Sequence, residues 1–230
     1  MFRIAYFSAS ALGGVAVGLL LGTLLEATPP LEQSERKVPA RPLAARAETH
    51  GERVAAAARA VVDRGTEYRA TYEALDYPGG DVPLTYGVCT DLVVRAYRGA
   101  GIDLQRLLYE DRAANPEAYP THIWEHKEAD ANIDHRRCQN LDVFFSRQAN
   151  SLPTEWRDVS AENAWQPGDV VFLIDEGAAH PWHVGIVIEA TLPGERPVLA
   201  HLYPPQAAAE PLWKDWNVHS RYRWPTASAE

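Results

Sequence analysis

A chain of 230 residues with 31 acidic and 22 basic side chains, a formal charge of -9, is long enough for one domain of ordinary size with a substantial core. Its acidic balance and scattered Lys and Arg exclude the clustered basic footprint of a nucleic-acid-binding protein.

The chain opens with Arg3 and then an uncharged run from Ile4 to Leu25, long enough to cross a bilayer as a helix. Residues 1–26 therefore read as a transmembrane anchor, with a cleaved signal segment as the competitor. Leu25-Glu26-Ala27 is a poor small-x-small cleavage site, which favours the anchor. Either way the rest of the chain is expected outside the cytoplasm, in the periplasm or cell envelope. Residues 27–46, rich in Pro, Ala and mixed charge without apolar period, read as a flexible tether. The domain proper is expected over 47–230.

Glu52 to Arg64 carries an apolar stripe through Val54, Ala57, Ala58, Val61 and Val62 and reads as a helix. Thr66 to Leu75 reads as a second helical segment. The turn-rich YPGGDVP, Tyr77 to Pro83, stops whatever precedes it, and GVCTDLVVRAY follows, Gly87 to Tyr97. From Cys89, the positions Leu92, Val93, Ala96 and Ala100 recur at helical spacing, so the cysteine heads a buried stripe at a helix start. A thiol there faces unpaired N–H groups and the positive end of the helix dipole, which stabilise a nucleophilic thiolate. Asp91 works weakly against this as a nearby negative charge. A cysteine on an apolar helix face is also compatible with a small buried hydrophobe, or with a Cys89–Cys138 disulfide.

Beyond the stop at Gly99 and Gly101, Asp103 caps a helix through Ala114. Asn115 to Cys138 is irregular, contains Trp124 and ends in NIDHRR, a long loop of the kind that is often functional. Asn140 to Gln148 returns to a helical pattern. The last third changes to short runs rich in β-branched and aromatic residues, Val170 to Ile174, His183 to Ile188, Pro197 to Tyr203 and about His219 to Trp224. Helices first and strands later indicate an α+β domain with an antiparallel sheet.

A thiolate nucleophile needs an oriented base. His183 opens HVGIVIEA, and alternation puts it on the face of Gly185 and Val187, which leaves space by the ring. A hairpin through Leu192 to Arg196 would bring His201 beside it to fix the imidazole. His180 and His183 in HPWH invite a metal, but Pro181 prevents a helical pair and no third or fourth ligand is evident. No metal or cofactor is called for. Trp124 and Trp182 read first as core packing and second as groove walls.

GVCTDLVVRAY, then QPGDVVFLI, then HVGIVIE, then a polar residue on the next strand resembles the NlpC-type cell-wall cysteine peptidases of the papain-like superfamily. The span from about Leu75 to Trp224 also resembles the YijF-like bacterial proteins of unknown function, through LDYPGGDVP, GVCTD, NIDHRR, QPGD and the histidine strand. The resemblance implies a papain-like NlpC-type fold with the nucleophile helix packed on an antiparallel sheet. It also implies Cys89 as nucleophile, His183 as base and His201 as the third polar residue. Thr90-Asp91 stand where small residues, often Ser-Gly, follow the cysteine in those peptidases. The implied function is an exported cysteine hydrolase cutting amide bonds in peptidoglycan stem peptides. Arg136 and Arg137 would bind substrate carboxylates, and Asp91, Asp134 and His135 would complete the binding site; the alternative is a solvated or structurally paired arginine loop with Asp134 and His135 capping local backbone. The alternatives are a non-catalytic, membrane-tethered binding module of the envelope, and an acyltransferase on the same fold.

Overall fold

The computed structural model describes residues 48–124, 127–157, 159–189, 196–212 and 215–225. The chain divides into two units, Met1–Ala44 and Ala45–Glu230, and all described residues lie in the second. The expected membrane span and the whole expected tether, residues 27–46, lie outside the described residues. Among the described residues, no helix is long and apolar enough to cross a membrane.

Helix α1, His50–Asp63, begins at a capping box. Thr49 Oγ1 accepts from the Glu52 N–H at 3.2 Å while Glu52 Oε2 accepts from the Thr49 N–H at 2.7 Å. Its stripe of Val54, Ala58 and Val61 is buried against the next helix and the sheet. The segment expected to be a second helix is instead strand β1, Glu67–Tyr68, followed by irregular backbone. Tertiary pairing overrides its helical composition. Glu67 N–H donates to Thr85, beside the parallel strand β2, Tyr86–Gly87, and the buried Thr66 hydroxyl donates to Val61 and Leu84 carbonyls.

Helix α2, Cys89–Gly99, is buried on every side from Cys89 to Tyr97. Leu92, Val93 and Ala96 are fully inaccessible, and burying a Leu or Val of this kind contributes about 1.5–3 kcal/mol. Helix α3, Leu104–Ala114, starts where Asp103 Oδ1 accepts from the Gln105 N–H. Among its described residues, the irregular stretch that follows holds the short α4, Thr121–Trp124, and two 3-10 turns, Pro116–Ala118 and Asp134–Arg136. Helix α5 runs Cys138–Gln148, two residues ahead of its expected start.

The remaining strands are β3, Asn150–Leu152; β4, Val170–Ile174; β5, His183–Glu189; β6, Val198–Tyr203; β7, Gln206–Pro211; and β8, Asn217–Arg223. They form one eight-stranded sheet in the order β2-β1-β7-β6-β5-β4-β8-β3, antiparallel except at β1 and β2. The protein is thus α+β, with α1, α2 and α5 packed through Leu92, Tyr97 and Phe145 on the sheet face of Phe172, Val184, Ile186 and Ala200. The opposite face carries Val171, Val187 and Leu199 under Trp165, Trp156 and Trp216. Strand β4 is tied to β8 by the buried Asp169 of the GD motif, which takes a bidentate pair from Arg223 at 2.7 and 3.0 Å.

Candidate active site

The site is assembled where the start of α2 meets the starts of α5 and β5. At the head of α2, Val88 precedes the helix, and the Asp91 carboxylate turns back to accept the Val88 N–H at 2.7 Å. This closes half of a capping box and fixes the entry of the cysteine. Gly87 is required by the same arrangement, because a Cβ there would stand 2.9 Å from Asp91 Oδ2. The Cys89 backbone N–H lies in the first turn, where a helix offers no internal acceptor, and it is therefore available to a developing oxyanion.

The Cys89 thiol is almost enclosed, and burial and three neighbouring groups set its ionisation. Its pKa is lowered, first by a hydrogen bond from the Cys138 thiol, against burial, which pushes it up. A hydrogen bond and positive charge from His183 and the Val184 backbone N–H lower it further. The Cys138 thiol moves the opposite way, raised by burial and then by its contact with Cys89, so it stays protonated and acts as the donor. Both cysteines are free, so the disulfide alternative is not what the structure contains.

His183 Nε2 lies 3.0 Å from His201 Nδ1, with the two rings at a right angle. The register that places them pairs Gly185 with His201 on adjacent antiparallel strands. A Cβ on Gly185 would meet Ala200 O at 3.0 Å and His201 Cβ at 3.2 Å, so only glycine lets the second ring approach this closely. Since Nε2 of His183 is turned to His201, its Nδ1 is the nitrogen left for Cys89. Burial, and then the charge of His183, lower the His201 pKa to about 4. His201 is therefore neutral at neutral pH, and its unprotonated Nδ1 can accept a hydrogen bond from the His183 Nε2–H. Trp182 stacks on His183 at 5.0 Å and Trp216 closes on His201 edge-on at 5.2 Å.

A cleft of about 470 Å³ opens beside the sulfur. Cys89, Cys138, Tyr68, Trp124, Trp182 and Arg137 are among its walls. Arg137 stacks over Trp124 at 4.4 Å and reaches Asp134 at 3.4 Å. Of the other four residues expected to bind substrate, Arg136 also borders the cleft, whereas Asp91, Asp134 and His135 are packed behind it. Arg136 forms a bidentate pair with Asp91, at 2.8 and 3.0 Å, and donates to the Thr71 carbonyl at 2.7 Å. Asp134 pairs with the equally buried Arg112 and accepts from the Asp130 N–H. His135 is buried, and burial lowers its pKa to about 4, so it is neutral near pH 7. The charge of Asp91, which alone would oppose a thiolate, is balanced by Arg136.

The remaining motifs serve the same frame. Asp81 of YPGGDVP takes a bidentate pair from Arg95 of α2 at 2.9 Å, and Arg95 also donates to the Val82, Pro83 and Tyr86 carbonyls. Gln105 of α3 bridges Gly80, Asp76 and Ala131. Two cleft residues had no signal of their own in sequence. Tyr68 sits on a two-residue strand, and the part played by Cys138 depends on two helix starts meeting across 49 positions. The second cysteine at a helix start was the only available clue. HPWH brings no metal cluster together, and among the described residues no group of three or more potential ligands converges.

Residues 55–224 match the family described as Domain of unknown function (DUF1287). The chain belongs to this family. As a DUF1287 member it is similar to "Uncharacterized protein YijF" of Escherichia coli (strain K12), 37% identical over 172 residues, which is 74% of this chain and 80% of that one. Among solved structures this DUF1287 chain is similar to a Staphylococcus aureus subsp. aureus Mu50 protein described as similar to lipoprotein, NLP/P60 family. That likeness has a TM-score of 0.38 and 17% identity, and it covers 76% of this chain and 42% of the other.

Proposed function

We propose that this chain is a cysteine hydrolase of the bacterial cell envelope, of NlpC type, that cleaves amide bonds in peptidoglycan stem peptides. The observation that carries the reading is His183 beside the Cys89 sulfur, where it helps to lower the thiol pKa, with its Nε2 held 3.0 Å from His201 Nδ1. The His183 imidazolium and the Cys89 thiolate form the resting pair. The sulfur attacks an amide carbonyl, the Cys89 backbone N–H takes up the oxyanion, and His183 Nδ1 delivers its proton to the leaving amine. His183, now neutral, draws a proton from water, which cleaves the thioester and restores the pair. His201 keeps the His183 ring oriented through both halves.

Export and anchoring through residues 1–26 belong to the same proposal, with 27–46 as the spacer that gives the domain, from residue 47 on, reach to the wall. No step calls for a metal or cofactor. Arg137 is assigned to the substrate carboxylate, since it lines the cleft with its guanidinium braced on Trp124. Asp91, Asp134, His135 and Arg136 are assigned to holding that wall and the helix start in register.

The test is to incubate the purified full chain with soluble peptidoglycan fragments and read the products by mass, beside Cys89→Ala. Gain of one water across a stem amide supports the reading; intact fragments at every enzyme concentration oppose it. In that assay Arg137→Ala is expected to raise KM about tenfold with kcat nearly kept, the cost of one charge-assisted contact of about 1.4 kcal/mol. An unchanged KM would remove Arg137 from the binding site.

A further inference from the structure

Two nitrogens 3.0 Å apart share one hydrogen bond only when one carries a proton and the other does not. With His183 as imidazolium, its Nε2–H donates to His201 Nδ1. His201 must then hold its own proton on Nε2. That nitrogen is buried and lacks a hydrogen-bond partner within ordinary distance among the described residues. The Glu210 carboxylate faces it, with Oε2 3.7 Å away.

Glu210 is placed there by the sheet. On β7 it pairs with Leu199 of β6, while His201 pairs with Ala208, so Glu210 and His201 are diagonal neighbours on one face. His201, Glu210, Tyr203 and Trp216 line a cavity of about 320 Å³ behind the relay.

We propose that Glu210 is a positioning residue that holds His201 with its proton on Nε2, leaving Nδ1 to accept from His183. The chain of contacts is then Cys89, His183, His201, Glu210, one member longer than the sequence indicated. Loss of the carboxylate lets the His201 proton move to Nδ1, where it opposes the His183 N–H and destabilises the imidazolium. The other titratable groups facing the two rings are the Cys89 and Cys138 thiols and the Tyr203 phenol, with Tyr68 beyond it. The rest of the enclosure is Trp182 and Trp216.

This inference rests on the thiolate-imidazolium reading of Cys89 and His183, and the experiment separates the two. The rate of iodoacetamide alkylation at Cys89 is followed against pH in the full chain, for the parent protein, Glu210→Ala and Glu210→Gln. An ion pair gives two rises, a lower one where the thiol ionises beside the imidazolium and an upper one where the imidazolium loses its proton. In Glu210→Ala the upper rise is expected about one pH unit lower, with the lower rise unmoved. Glu210→Gln keeps an acceptor without the charge and is expected to recover about half of that shift. An upper rise unmoved in both variants overturns the role of Glu210 while the pair stands. Both rises displaced together in Glu210→Ala would mean general damage, and would also overturn it. A single rise at the pH of an ordinary thiol in the parent protein removes the pair itself. Should Glu210→Ala not fold, the near-isosteric Glu210→Gln decides by its upper rise alone.

Discussion

Cys89→Ala is expected to abolish stem-peptide cleavage, a loss of about 10⁴-fold or more, and His183→Ala to lose about 10³-fold. The two losses should not add. Once the sulfur is gone the imidazole has nothing to activate, so the double variant should resemble Cys89→Ala alone. Alanine at Cys89 removes one sulfur from a well-packed position, and the fold should survive, because α2 is held by Leu92, Val93, Ala96 and Tyr97 rather than by the thiol. His201→Ala should fall between the parent and His183→Ala, since it frees the ring without deleting it. Cleavage retained in His183→Ala at parental rate would mean that another group serves as base.

The second large effect is on stability. Asp91 and Arg136 are both buried and satisfy one another through two hydrogen bonds. Asp91→Ala leaves a guanidinium enclosed without its counter-charge, which costs about 3–5 kcal/mol. For a domain whose total stability is about 5–15 kcal/mol this is a large share. It should appear as a marked drop in the urea midpoint with little change in slope. Because the same carboxylate caps Val88, the start of α2 should loosen with it. Pairing Asp91→Leu with Arg136→Met should recover much of the loss, since replacing both charges removes the unpaired one. A midpoint for Asp91→Ala within about 0.5 kcal/mol of the parent would show that the pair is not what holds this wall.

How far the sequence could be read depends on the range of the interaction. The helix behind Cys89 was legible because its stripe repeats every three to four residues, and β4 to β6 because β-branched residues crowd into short runs between Gly and Pro. The meeting of His183 and His201 followed from two neighbouring strands and one connection. Strand β7, whose sequence QAAAEP carries helix-favouring alanines, was not legible, since it is a strand only through pairing with β6. Nor were β1 and β2, two residues each and defined by partners elsewhere. Asp91 and Arg136 look like free charges in sequence, because nothing local reveals that they meet across 45 positions. Hence NIDHRR reads as a binding loop, whereas its Asp134 braces the cleft from behind, and Arg136, tied to Asp91, and Arg137 both border it.

The most direct measurement is the rate at which iodoacetamide alkylates Cys89 at pH 6, read by mass on the full chain with Cys138 as the internal comparison. At that pH an ordinary thiol is less than about 1% ionised, whereas a thiolate paired with imidazolium is fully formed, and after allowance for its lower intrinsic nucleophilicity it should react about tenfold faster than a free thiol. That advantage should vanish in His183→Ala. Alkylation of Cys89 no faster than that of a free thiol, and indifferent to the loss of His183, would contradict the thiolate-imidazolium pair.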